Sequence, residues 1–341
     1  MVKEPQPGQV PATGSSYKDS GVDIDAGNRF VSSIQSLMRK TFGPEVMQHE
    51  NGFGGLFELN NPANPLIRRR MKQPVLVAAT DGVGTKLKIA FMTGVHNTIG
   101  IDLVAMSVND LIVQGATPLF FLDYLATSKL DTDLMASLME GIAEGCMQAG
   151  TALLGGETAE MPDLYAPGEY DLAGFAVGIV EKNKLIRGNH IEPGDIVIGL
   201  TSDGLHSNGF SLVRRVLFDI NKCDLHQHWE DCGCTLAEEL LRPTKIYVKV
   251  ISSLLKSYRK KFIIHGIAHI TGGGLTENLP RILPPGMQAN IDPKKWEVPP
   301  VFQRIQKMGN IDKAEMFRVF NMGIGMCLVA PTYNADAIIA K

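Results

Sequence analysis

The run Ala79-Thr80-Asp81-Gly82-Val83-Gly84-Thr85-Lys86 brings a carboxylate, two glycines and an ammonium group into one short segment. Glycines one residue apart let backbone N–H groups turn toward an anion with no side chain in the way. The lysine adds positive charge, and an aspartate at a strand end is placed to hold Mg2+ against phosphates. The glycines fall differently from those of a P-loop, and the lysine follows too soon. Read alone, Asp-Gly after a strand is also an ordinary turn.

Two further acidic segments stand in the same half of the chain. Asp102 and Asn109, seven apart on a helix, return to nearly one face with Asp110 beside them. Carboxylates among Val104, Met106, Val108 and Leu111 call either for a cation partner or for a solvated edge. Leu154-Gly155-Gly156-Glu157-Thr158-Ala159-Glu160 reads as a short strand and then a double glycine that brings backbone close to a ligand. Asp81, Asp110 and Glu157 together suggest a shared metal cluster. Near the start, Ser16-Tyr17-Lys18-Asp19-Ser20-Gly21 reads as a loop able to carry Lys18 to a phosphate, or as a charged tail.

The second half repeats a different device. Leu205-His206-Ser207-Asn208-Gly209-Phe210 precedes a helix, where Ser207 or Asn208 suits the N-cap and exposed N–H groups suit a phosphate. His206 is placed either as a proton carrier or as a structural histidine. His269-Ile270-Thr271-Gly272-Gly273-Gly274 again runs from strand to glycines to helix. Two such loops fit the holding of a phosphorylated substrate.

The elements that must position these residues follow from hydrophobic period. Helices are expected at Ala26–Lys40, Thr98–Gln114, Asp133–Ala149, Gly209–Asp219, Glu238–Leu241, Ile246–Lys256, Leu275–Leu283, Phe302–Met308 and Ala314–Phe320. Strands are expected at Gln73–Thr80, Pro118–Leu125, Thr151–Leu154, Asp171–Val180, Ile196–Leu200, Ile263–Ile270 and Gly323–Ala330, with a helix beginning in Thr332–Lys341. The interleaving predicts an α/β class with mixed sheets. At 341 residues the chain fits two domains. They are read as 17–182 and 195–341, after a flexible 1–16 and with a polar linker at 183–194.

A net charge of -3 points away from nucleic acid and membrane surfaces, and no apolar stretch reaches the roughly 20 residues of a membrane span. The charged, proline-bearing first residues do not form a signal peptide. Five cysteines make no even framework, and Cys232-Gly233-Cys234 is read as free thiols rather than a metal or redox pair. A cytoplasmic enzyme is expected.

Eight segments in order resemble the phosphoribosylformylglycinamidine cyclo-ligases, or aminoimidazole ribonucleotide synthetases, from about Ser16 to Ala330. They are Tyr17–Asp23, Asp81–Lys86, Asp102–Asp110, Gly115–Tyr124, Gly155–Pro162, Leu205–Arg214, His269–Glu277 and Phe320–Met326. The resemblance implies an N-terminal domain whose strands join a partner's in a homodimeric β-barrel, with a C-terminal α/β domain against it. It implies ATP and Mg2+ in the cleft and a phosphoribosyl substrate. Carried over, Asp81, Asp110 and Glu157 become metal ligands, and Lys18 and Lys86 phosphate contacts. Gly82, Gly84, Thr85, Gly155 and Gly156 would line the nucleotide, supported by Asn109 and Thr158. His206, Ser207, Asn208, Gly272, Gly273 and Gly274 would face the substrate, with His206, Asp81 and Lys86 in catalytic roles.

The implied reaction closes an imidazole ring after the formamide oxygen has been phosphorylated by ATP. Two features depart from the family pattern. The chain stops about a strand and a helix short, and Asn60–Met71, with Arg68-Arg69-Arg70, is a longer and more basic insert, read as a solvated loop. The alternatives are a sister enzyme, such as a formylglycinamidine synthetase or a thiamine-phosphate kinase, or a non-catalytic nucleotide-binding subunit. A selenophosphate synthetase would need an early reactive cysteine, and the first here is Cys146.

Overall fold

The strand and helix periods sort the chain into two sheets, each with helices against it, in a computed structural model that describes residues 24–47, 55–59, 61, 71–258 and 262–341. The first half runs α1 (Ile24–Lys40), β1 (Val46–Met47), β2 (Leu56–Phe57), β3 (Pro74–Gly82), α2 (Leu87–Thr93), α3 (Asn97–Ile112), β4 (Thr117–Thr127), α4 (Thr132–Ala149), β5 (Ala152–Glu160) and β6 (Tyr170–Glu181). The second half runs β7 (Asp195–Thr201), α5 (Phe210–Arg214), β8 (His228–Trp229), β9 (Cys234–Thr235), α6 (Leu236–Leu241), α7 (Val248–Ser257), β10 (Gly266–His269), α8 (Gly274–Asn278), α9 (Pro300–Gly309), α10 (Lys313–Val319), β11 (Ile324–Pro331) and α11 (Ala335–Ile339). The Lys18 loop and most of the basic insert lie outside the described residues.

The first sheet has the order β3-β6-β4-β5, with β3 and β4 antiparallel to β6 and β5 parallel to β4. One face is covered by α3 and α4. Helix α3 is buried almost all round, which is why its apolar residues show no single stripe. It approaches α4 so closely that a methyl group on Gly100 or Gly141 would overlap the other helix's backbone. The opposite face is open, with Leu76 60% and Phe175 43% exposed in its middle.

The second sheet is antiparallel, order β10-β11-β7. Every residue of β11 is buried, as its unbroken apolar run predicts. The main hydrophobic core is continuous from Phe30, Leu103 and Phe121 in the first half to Phe210, Tyr247 and Phe302 in the second, so the halves share it. No helix among the described residues is long and apolar enough to cross a membrane.

Three boundaries differ from expectation in ways that matter for the site. Strand β3 continues through Asp81 and Gly82, which therefore pair with Gly174 and Ala173 rather than turning away. Strand β5 runs past Leu154 to Glu160, because Gly155 and Gly156 pair with Leu122 and Asp123 of β4. The helix after Phe210 loosens into π-helical turns over Arg215–Ile220.

Candidate active site

The C-terminal end of β3, the second half of α3 and the loop after β10 meet at the junction of the two halves. Asp81, on the helix-covered face of β3, accepts the backbone N–H of Gly82 at 2.8 Å. Burial raises its pKa above the usual carboxylate value; nearby Asp110 raises it further, while the Gly82 bond and His269 oppose the rise. From α3, Asp110 reaches toward the same corner and accepts a hydrogen bond from Nδ1 of His269 at 2.8 Å. Asp110 is half-exposed and His269 buried. Two carboxylates crowded together with only a histidine against them make a corner that favours a cation. Mg2+ needs no more, since it is commonly held by one or two carboxylates and completed by phosphates and water.

Glu157 is not part of this corner in the same chain. It lies on β5, at the opposite edge of the sheet from β3, about 14 Å away over three inter-strand steps. It also pairs with Tyr124 and points to the open face, whereas Asp81 points to the helices. Among the described residues no group of three or more His, Cys, Asp and Glu side chains converges to hold a metal. Within one chain the structure brings Asp81 and Asp110 together and leaves Glu157 apart.

Lys86 turns into the seam between the two halves. Its side chain has no exposure, and Nζ is 2.7 Å from Oδ2 of Asp102, which has none either. Nζ also donates to the carbonyl of Arg242 at 2.6 Å. That carbonyl is presented by an extended residue (φ -51°, ψ 124°) because Pro243 follows it. Burial pulls the ammonium below its ordinary pKa, with Asp102 acting in the opposite sense. Asp102 Oδ1 accepts from the N–H of Thr244 at 2.6 Å, its Oγ1 at 2.7 Å, and Oγ of Ser207 at 3.0 Å. Lys86 and Asp102, both in the first half, thus form a buried ion pair whose hydrogen bonds to Arg242, Thr244 and Ser207 fasten it to the second. Both open possibilities for Asp102, a magnesium partner and a solvated edge, are replaced by this pair.

Asn109 works in the same seam. Its Nδ2 donates to the carbonyl of Lys245 at 2.9 Å, and its Oδ1 accepts the N–H of Tyr247 at 3.0 Å. Thr85 and Ser211 share a hydroxyl–hydroxyl bond of 3.0 Å across the junction. The segment Gly82–Lys86 is accordingly as much a domain fastener as an anion loop. Gly84, at φ 70° with open space beside it, is the glycine that its conformation requires.

His206 sits at φ 59° and is 1% exposed. Its Nε2 accepts the backbone N–H of Asp203 at 3.1 Å and of Lys245 at 3.4 Å, so the ring proton is on Nδ1. Burial, then the positive groups around it, hold its pKa well below the histidine range. The ring is enclosed at the junction and held by backbone N–H groups on Nε2, while Nδ1 meets no hydrogen-bond partner among the described residues. Ser207 turns to Asp102, and Gly209 at φ 78° is the cap residue of α5, so neither Ser207 nor Asn208 caps it.

Asn208 Oδ1 instead accepts the N–H of Gly272 at 3.0 Å, joining the two glycine loops. Gly272 is exposed, Gly273 part-exposed and Gly274 buried. A methyl group on Gly274 would overlap the carbonyl of Phe317, so that glycine serves close packing. Asn278 donates to the carbonyls of Gly272 and Gly274 at 3.1 and 2.9 Å and shapes the loop. Asn278 and Thr244 are polar residues of the junction that the motifs did not include. Their signal was a polar side chain inside or beside an apolar element.

One further acid stands beneath β5. Asp123, 6% exposed on the helix-covered face of β4, lies against Gly156 so closely that a methyl group there would overlap its Oδ1. Burial pushes its pKa to about 7. Gly156 thus makes room for Asp123 within the sheet, while Gly155 has only Leu122 near it. Thr158 turns to the same face as Leu125.

The sequence matches the profile of the N-terminal domain of AIR synthase related proteins over residues 66–180, and that of their C-terminal domain over 192–341. The phosphoribosylformylglycinamidine cyclo-ligase of Trichlorobacter lovleyi is 55% identical over 327 residues, covering 96% of this chain and 90% of that one. That of Geotalea daltonii is 56% identical over 325 residues, covering 95% and 90%. The chain belongs to the phosphoribosylformylglycinamidine cyclo-ligase family.

Two solved structures share the fold. A thiamine-monophosphate kinase from Stenotrophomonas maltophilia K279a superposes with a TM-score of 0.59 at 19% identity, covering 91% of this chain and 88% of that one. The hydrogenase maturation protein HypE in complex with ATP gives 0.57 at 16%, covering 94% and 83%. At such identities the likeness is one of fold.

Proposed function

We propose that this chain closes the imidazole ring of 5-aminoimidazole ribonucleotide from formylglycinamidine ribonucleotide, converting ATP to ADP and phosphate in the cytoplasm. The observation that carries the reading is the Asp81–Asp110–His269 corner, set at the domain junction of a chain so close in sequence to the curated cyclo-ligases.

The chemical difficulty is the formamide oxygen, a very poor leaving group. Its attack on the γ-phosphorus of ATP breaks the bond to the bridging oxygen, releases ADP and leaves an iminophosphate. The amidine nitrogen then adds to the activated carbon, and phosphate departs with the former formyl oxygen. Such transfer depends on positioning and charge neutralisation more than on a dedicated base. Mg2+, when bound, would neutralise charge on the transferred phosphoryl group. Asp81 and Asp110 would hold it from the protein side, with His269 fixing the orientation of Asp110. Asn208 and the exposed Gly272 and Gly273 line the substrate side, and Lys18 stays the candidate phosphate contact.

The open face of the first sheet supports a homodimer. An apolar sheet face with Leu76 and Phe175 exposed asks for cover. A second copy facing it would close a barrel and set each copy's β5 edge beside the other's β3 edge. Glu157 would then complete the cation site of the partner rather than its own.

The test supplies formylglycinamidine ribonucleotide, ATP and Mg2+ to the purified chain and measures aminoimidazole ribonucleotide and ADP in equal amounts. Asp81→Asn should abolish both without lowering the melting temperature. Phosphate release with no aminoimidazole product would remove the cyclo-ligase reading.

A further inference from the structure

The irregular stretch from Arg242 to Tyr247 joins α6 to α7 along the seam between the two halves. Asn109 clasps it: its Nδ2 donates to the carbonyl of Lys245 at 2.9 Å and its Oδ1 accepts the N–H of Tyr247 at 3.0 Å. Asn109 precedes Asp110 on α3, and its amide lies 3.5 Å from Nε2 of His269, the histidine bonded to Asp110. The backbone of Lys245 is therefore mounted on the residue next to the cation corner.

Its side chain is not fastened in the same way. Lys245 is exposed, and Nζ lies 3.4 Å from both the carbonyl and Oγ1 of Thr201, at the end of β7. Bonds of that length exceed the usual N–H···O range, so they hold the ammonium loosely. From Thr201 the chain runs straight into the loop that carries His206 and Asn208. Burial first, then His269, Lys86 and Lys245, hold down the pKa of His206, which puts Lys245 and His269 near one ring.

The neighbouring cations are already committed. Lys86 is buried against Asp102, and Arg242 is paired with Glu239 and Asp203. Lys245 has no carboxylate within ion-pair distance among the described residues. A lysine head is a compact charge with three donors, a form suited to phosphate.

We propose that Lys245 is a phosphate-binding residue of the junction, its ammonium leaving Thr201 to meet a phosphate group of a bound ligand. That group is either the phosphate of the phosphoribosyl substrate or one of those of ATP. The inference rests on the ring-closure reading for the identity of these two ligands.

The experiment measures KM for formylglycinamidine ribonucleotide and for ATP, at low and high salt, in K245M, K245Q and K245R. Removing the charge should raise one of the two constants about tenfold or more, as the loss of a charge-assisted hydrogen bond does. The constant that moves names the phosphate. K245R keeps the charge and should recover most of the loss. The affected KM of the parent should climb with salt, and that of K245M should climb less. Melting temperatures should stay near the parent's, because the side chain is exposed. Folded K245M and K245Q with both constants unchanged overturn the inference, as does a defect that K245R shares in full and salt does not alter. Calorimetric titration of the parent and K245M with Mg2+–ATP and with ribose 5-phosphate reads the same contact without turnover. A parent that forms no aminoimidazole product removes the ring-closure reading and leaves this titration to decide. Weaker binding of either ligand by K245M then upholds the inference, and equal binding of both overturns it.

Discussion

Replacing Lys86 by Met removes one half of an ion pair in which neither side chain touches solvent. Asp102 keeps the Thr244 N–H, the Thr244 hydroxyl and the Ser207 hydroxyl, but as an anion with no counter-charge. Breaking a buried pair from one side costs about 3–5 kcal/mol, because the remaining charge is uncompensated. The same range holds for D102N, which leaves the Lys86 ammonium facing an amide and the Arg242 carbonyl alone. The double variant K86M/D102N has no stranded charge, so its loss should be well below the sum of the singles. Equilibrium urea unfolding of the four proteins measures this, with an unchanged slope on denaturant showing that the unfolded state is comparable. In thermal unfolding each single variant should melt roughly 6–20 °C below the parent, at about 2–4 °C per kcal/mol for domains of this size. Lys86 is withdrawn from solvent, so K86M assayed well below its transition should keep the parent KM for ATP. Single variants within about 1 kcal/mol of the parent would refute the ion-pair argument. A KM for ATP raised steeply at undiminished stability would show that Lys86 leaves Asp102 to meet the nucleotide.

Three more outcomes follow. The Asp123 carboxyl titrates near pH 7 in the folded chain and near its ordinary value unfolded, so the folded state binds the extra proton between about pH 4 and 7. Its contribution is fully present below that window and is lost as pH rises through it, by at most about 4 kcal/mol. D123N should flatten stability against pH there, and an unchanged slope would contradict the assignment. N109A removes both hydrogen bonds to the 245–247 segment and should cost about 1–3 kcal/mol by urea unfolding. H206N, whose residue type tolerates the positive φ, should leave the shape of the pH–rate profile unaltered, because burial holds the His206 pKa well below the histidine range. A lost inflection would return His206 to the proton chemistry.

The alternation of elements, the two halves and the family were legible in the sequence because apolar period and ordered glycine motifs are local signals. Pairing across the chain was not. Lys86 read as a phosphate contact since its neighbours are glycines, yet Asp102, Thr244 and the Arg242 carbonyl, all distant in sequence, enclose it. Gly155-Gly156 read as backbone brought close to a ligand after a short strand; in the structure the strand continues and the missing side chain of Gly156 admits Asp123. His206 carried the chemistry of its residue type, and neither its burial nor the two backbone N–H donors on its Nε2 could be read from the motif. Asp81 and Asp110 were placed together because each falls at the end of a strongly patterned element facing the same corner.

Asp81 and Glu157 stand at opposite edges of one sheet and on opposite faces of it. If a second copy closes the barrel, two inactive chains can mend each other. A dimer of one D81N chain and one E157Q chain holds one site with both defects and one with neither. Mixing the two dead proteins and letting subunits exchange should restore activity toward one site per mixed dimer. A site contained within a single chain could give no such complementation.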